Sequence, residues 1–264
     1  MQLKSMIAAT TLALILGPLA CTATAAATAP AAADPLDSAR WHDMQREFFR
    51  DERVVFDERV KVSAPGTAED AMNVPVLVDA SALPGVEEVL VFADFNPIVK
   101  ALSFEPGQAR SVLGFRLKLQ QSTPVRAAAR TADGLWHVGG TWVNTTGGGC
   151  TLPSTGNGSP EWQQRLNEVS ARVWPRVDGG KRLRLQVIHP MDTGLAAGIP
   201  VFHIDELRIS LPGNERLMTI YPAEPVSENP LFTIDAPPGI IGDGVLTVSG
   251  RDNNGNRIQA EVKP

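Results

Sequence analysis

A mainly β protein built from two β-sandwiches is what this sequence predicts, on three observations. Short runs of β-branched and aromatic residues alternate with polar ones along two stretches, 54–144 and 182–262, with turn residues between the runs. Helical periodicity is confined to two places, one around Trp41 and one around Trp162. A glycine-rich segment without apolar periodicity, 145–158, separates the two β stretches. Many short strands joined by turns, with few helices between them, favour packed antiparallel sheets, because each strand has one face to bury.

The chain opens with Lys4, an apolar run over 6–19 and an alanine-rich stretch containing Ala23, Thr24 and Ala25. That order of charge, apolar run and small residues is a secretory leader, so residues 1–25 are expected to be a signal peptide. The run falls short of the ~20 residues that a membrane span needs, and no span is expected. Cleavage after Ala25 removes Cys21; in the alternative, a lipoprotein acylated through Cys21, Pro18 and Leu19 are poor residues for the signal. An Ala/Pro/Thr-rich tether then leads to Asp34. Lys and Arg number 24 against 29 Asp and Glu, a net charge of -5, and loss of Lys4 with the leader leaves 23 against 29, or -6. Such an acidic balance argues against nucleic acid as a partner.

Asp34 and Pro35 read as the N-cap and first position of a short amphipathic helix, with Trp41, Met44 and Phe48 on one face. Strand-like runs follow at 54–62, 72–79, 86–95, 111–119, 125–130 and 135–144, the last two joined by a hairpin turn at Asp133 and Gly134. After the glycine-rich segment, Ser159, Pro160 and Glu161 start a second helix whose stripe of Trp162, Leu166, Val169 and Val173 runs to Pro175. Trp162 is core in that arrangement, against the alternative of a stacking platform for a ligand. Further strands are expected at 182–188, 202–211, 216–221, 231–235, 244–249 and 257–262, with turns at Pro212–Asn214 and at 253–256. The expected architecture is two immunoglobulin-like β-sandwich domains, 34–146 and 181–264, joined over 147–180 by a Gly-rich arm and a short linker helix.

Cys150 is the one cysteine left after leader removal, so a disulfide within the chain is excluded and pairing of two copies through Cys150 is open. Between His137 and Glu161 no other side chain titrates. A catalytic cysteine needs a base or cation to form its thiolate, and the local sequence offers neither. Gly147, Gly148 and Gly149 instead suggest a flexible arm that presents Cys150 in water, its pKa near the ordinary ~8.5, for another enzyme to act upon. A chance surface cysteine in a loop is the plainer alternative. His189 and His203 lie near Asp192 and Asp205, but the spacing is poor for a metal site, and structural or interface histidines are expected; His42 and His137 are isolated. No hydrolase elbow, phosphate loop, zinc spacing or dinucleotide fingerprint occurs, so no cofactor, metal or catalytic residue is expected.

Asn96-Pro97, Phe104-Glu105-Pro106 and the run FRLKLQQSTPVRAAARTADGLWHVGGTWVNTTGGGC ending at Cys150 resemble SoxY, the sulfur-carrying subunit of bacterial sulfur oxidation. LRLQVIHPMDTG from Leu183, IPVFHIDELRIS from Ile199 and PVSENPLFTI from Pro225 resemble its partner SoxZ. The resemblance implies a covalent carrier, not an enzyme, in which Cys150 holds a sulfur-containing or other thiol-linked intermediate. Gly148 and Gly149 match the two glycines ahead of the family's carrier cysteine. Thr151 and Leu152 depart from the two glycines that follow it, and the arm is internal instead of terminal. The chain is thus similar to fused SoxYZ-like carriers found beside quinoprotein alcohol dehydrogenases. This implies a periplasmic location, with redox or sulfur-transfer enzymes and a quinoprotein alcohol dehydrogenase system as partners. The alternative is a non-catalytic assembly module that docks onto an exported quinoprotein dehydrogenase and in which the cysteine is incidental.

Overall fold

The computed structural model describes residues 33–156 and 160–264; the expected leader, Cys21 and the tether as far as residue 32 lie outside the described residues. A helical turn, α1 (Trp41–Met44), continues as a π turn (Gln45–Phe49). The first half then contains β1 (Val54–Phe56), β2 (Lys61–Ser63), β3 (Thr67–Ala68), β4 (Val74–Asp79), β5 (Val86–Ala93), β6 (Lys100–Glu105), β7 (Val112–Leu117), β8 (Thr123–Thr131) and β9 (Trp136–Thr145). The second half contains α2 (Pro160–Gln164), β10 (Val169–Pro175), β11 (Lys181–Val187), β12 (Asp192–Thr193), β13 (Val201–Phe202), β14 (Ile204–Ser210), β15 (Arg216–Pro222), β16 (Leu231–Ala236), β17 (Leu246–Asp252) and β18 (Arg257–Val262).

The mainly β, layered architecture expected from the alternation is present, and both large sheets run through both halves. One has the order β1-β9-β8-β5-β6-β15-β14-β17-β18, with β3 beside β9; the other is β10-β11-β16-β7-β4-β2; β12 and β13 form a separate hairpin. The halves join where β6 pairs with β15, from Glu105 opposite Thr219 to Leu102 opposite Pro222. They join again where β7 pairs with β16, with Leu113 opposite Ile234 and Gly114 opposite Thr233. Separate sandwiches would leave these four strands as open edges with unpaired backbone groups; pairing them removes the edges. The halves are therefore connected by two sheets as well as by the arm. Phe104 and Leu113 from one half and Ile220, Phe232 and Ile234 from the other are fully buried in one continuous core. Truncating a side chain such as Phe104 to Ala there costs about 3–5 kcal/mol.

Four local expectations need correction. The 54–62 run divides between two sheets as β1 and β2, because the Asp57 carboxylate accepts the Arg59 N–H (2.9 Å) and the Asp57 carbonyl accepts that of Val60 (3.1 Å), turning the chain. Asp34 caps no helix; it accepts the N–H groups of Leu36 (3.1 Å) and Ser38 (2.8 Å) in a turn before α1. The linker helix stops at Gln164, Asn167 takes φ +64°, and Val169–Pro175 pairs along its whole length with β11. β6 was not expected at all: its Ala101–Phe104 core is buried on both faces and so does not alternate.

Trp41 and Met44 share a buried face as expected, packed against Phe92 and Trp136, but the fully buried phenylalanine beside them is Phe49, and the expected Phe48 is half-buried at the edge of the cluster. Beneath Trp41 lies the fully buried Arg126, whose Nη atoms donate to both Asp34 oxygens (2.9 and 2.7 Å) and whose Nε donates to Asp94 (3.1 Å). Its guanidinium also stands 4.7 Å from the Trp41 ring. This cluster fixes the N-terminal segment to the sheet.

Candidate functional site: a buried cysteine between the two halves

Beyond β9 the chain turns at Gly147 and Gly148, with φ of +84° and +89°, and runs back along residues 118–121. Gly148 N–H donates to Gln120 O (3.1 Å), Gly149 N–H to Leu119 O (3.0 Å) and Cys150 N–H to Gln120 Oε1 (3.2 Å). A Cβ at position 147 would lie 2.3 Å from Gln120 O, and one at 149 would lie 2.1 Å from Ala71 O. These two glycines are needed for close approach.

The second half holds the other side of the loop. Thr193 Oγ1 donates to Cys150 O at 2.6 Å. Asp192 accepts the N–H (2.9 Å) and hydroxyl (3.3 Å) of Ser154, while Glu228 accepts the N–H and hydroxyl of Thr155 (both 2.7 Å) and the N–H of Gly156 (3.0 Å). The expected free arm at Gly147, Gly148 and Gly149 is therefore docked, and Cys150 is fully buried where an exposed thiol was expected. The reason lies in acceptors and donors from distant parts of the chain that satisfy the loop's backbone.

The expected absence of a nearby cation is also corrected. Lys118, 1% exposed at the end of β7, lies beside the thiol: Cys150 Sγ donates to Lys118 O at 3.6 Å, and Lys118 Nζ donates to Met191 O. Burial pushes the Cys150 thiol up to about 11, with the Lys118 charge pulling it down. Burial brings Lys118 down to about 8, against the opposing pull of Asp192, Cys150 and Glu228. The docked thiol is thus held in its neutral form. Met191 has φ +52°, a conformation uncommon for a side chain of its kind. The turn is held by His189 Nδ1, which accepts the Met191 N–H at 3.1 Å.

His189 is buried against Phe202, ring centroids 4.4 Å apart, and its Nε2 lies 3.7 Å from Asp252. His203 stands 3.5 Å from Asp205 and 3.6 Å from Glu224. His42 is exposed, whereas His137, which appeared isolated, is buried and bonded to Asp57 at 2.8 Å. Trp162 is half-buried, with its ring 6.4 Å from Phe202. Among the described residues no group of three His, Cys, Asp or Glu is placed to hold a metal ion, and no helix is long and apolar enough to cross a membrane. A groove of about 590 Å³ beside Leu36, Phe56 and Lys61 does not include Cys150. A smaller one, about 220 Å³, lies at Arg116, Thr155 and Glu228 beside the docked loop.

Family models match both halves of the chain: Sulfur oxidation protein SoxY over residues 45–150, and Sulphur oxidation protein SoxZ over residues 175–263. No curated protein matches the chain. Among solved structures it is similar to the sulfur carrier protein SoxY from Chlorobium limicola f thiosulfatophilum, at 20% identity over 40% of this chain and 96% of that chain, with a TM-score of 0.36.

Proposed function

Since the chain is a fused SoxYZ-like protein, a SoxY region followed by a SoxZ region, we propose that it is a sulfur carrier that holds its cargo covalently on Cys150. One observation carries this reading. Cys150 is the last residue of the SoxY match, and residues of the SoxZ match, Thr193 and Asp192, bond its carbonyl and its loop. The docked thiol is the sheltered state. Presentation to a partner requires the loop to leave Gln120, Asp192 and Glu228, and a freed segment of the ten residues 147–156 spans about 17 Å. In this reading the protein has no turnover of its own; it is exported to the periplasm and exchanges cargo with redox or sulfur-transfer enzymes, a quinoprotein alcohol dehydrogenase system among them.

The burial of Cys150 favours a second reading, an assembly module in which the thiol is only a packing residue. Cys150→Ser distinguishes the two. A carrier loses its support of the host's oxidation pathway while partner binding persists; an assembly module keeps both.

A further inference from the structure

We infer that Lys118 is the counter-cation of a sulfur anion on Cys150, so that the docked loop selects anionic adducts over neutral ones. The inference rests on the carrier reading and adds to it the charge of the cargo and the residue that recognises it. Lys118 is 1% exposed, and among the described residues its ammonium forms no ion pair; Met191 O accepts one of its three N–H bonds. A buried cation left in that state is costly unless a charge of opposite sign arrives. The carboxylates in the same region, Asp192 and Glu228, already accept bonds from Ser154, Thr155 and Gly156. The charge that acts on the Cys150 thiol is that of Lys118, and the thiol also donates to Lys118's own carbonyl at 3.6 Å. A thiol adds nothing to the pull of Asp192 and Glu228 on the ammonium, whereas a persulfide or a sulfur oxyacid group attached through sulfur adds a counter-charge at the thiol's own place.

The test loads Cys150 in two ways. With tetrathionate, the thiol loses its proton to solvent, sulfur attacks an inner sulfur of the oxidant, thiosulfate leaves, and Cys150 carries an anionic –S–SO3 group. With methyl methanethiosulfonate, methanesulfinate leaves and Cys150 carries a neutral –S–CH3 group. Release of each adduct by dithiothreitol is timed on the folded protein and on a peptide of residues 145–155, and the ratio of the two rates gives the protection. In the wild type the anionic adduct should be protected at least tenfold more than the neutral one. Lys118→Arg should keep that preference and Lys118→Met should abolish it; a structural role alone would change both adducts together. Equal protection in the wild type, or an undiminished preference in folded Lys118→Met, overturns the inference. Should Lys118→Met fail to fold, the wild-type and Lys118→Arg comparison decides. Protein isolated from its host with nothing on Cys150 would defeat the carrier reading without touching this ratio, so the two failures are separable.

Discussion

Thr193 Oγ1 donates to the carbonyl of Cys150 at 2.6 Å, so the SoxZ region holds by its backbone the residue on which the SoxY region ends. The same hydroxyl accepts the N–H of Leu195 at 3.2 Å, which fixes its orientation. A carrier loop closed by its fused partner is therefore set by a few side chains, each of which can be removed.

Gly149→Ala should open the loop, since the new Cβ would meet Ala71 O at 2.1 Å, and backbone cannot yield to it cheaply. Thr193→Val should do so more mildly, through loss of one hydrogen bond of about 1 kcal/mol. Both variants should alkylate at Cys150 faster than wild type at pH 8, Gly149→Ala the more so. Unchanged alkylation in Gly149→Ala would mean that the glycine is not needed for close approach.

An exposed handle would make Cys150→Ser nearly neutral. The buried thiol should instead make it cost about 1–2 kcal/mol, because a hydroxyl is harder to desolvate than a thiol, although Lys118 O remains as its acceptor. Urea unfolding of the two proteins measures the difference.

Removing Arg126 should be far more damaging, as Arg126→Ala leaves Asp34 and Asp94 buried without their cation. The expected loss is about 3–5 kcal/mol. Fluorescence from Trp41, which stacks on the guanidinium, should shift in the native state of the variant.

His189 sets a pH dependence. Burial pushes its pKa from 6.5 down to about 3 against the opposing pull of Asp252, so the native state keeps it neutral while the unfolded chain takes up a proton near 6.5. The unfolded state binds more protons between those values, and stability therefore falls as pH drops from about 6.5 towards 3. Over pH 6.5 to 5, above the ordinary carboxylate range, the wild-type melting temperature should fall more steeply than that of His189→Gln. Parallel curves would assign the slope elsewhere.

The strands that bury one face were readable from alternation, as at Val74–Asp79, where buried and exposed residues alternate strictly. Lys100–Glu105 was not, because it is covered on both faces. Val169–Pro175 satisfied two periods at once: Trp162, Leu166, Val169 and Val173 fit a helix, while Val169, Ala171 and Val173 fit a strand, and pairing with β11 decides for the strand. Cys150 itself stood out through its isolation. Its burial did not, since Lys118 is 32 residues before it and Thr193 43 after it, and Glu228 reaches the loop across 73 residues. The sequence signal for Lys118 was slight: a second charge, two residues after Arg116, within the run that resembles SoxY.

Covalent carriage on Cys150 is tested most directly by the intact mass of the protein isolated from its native host without reductant, with Cys150→Ser purified in parallel. The account predicts a defined mass increment that reductant removes, that maps to the peptide containing Cys150 and that is absent from the variant. An unmodified mass in protein taken from actively oxidising cells, or the same increment in Cys150→Ser, would contradict it.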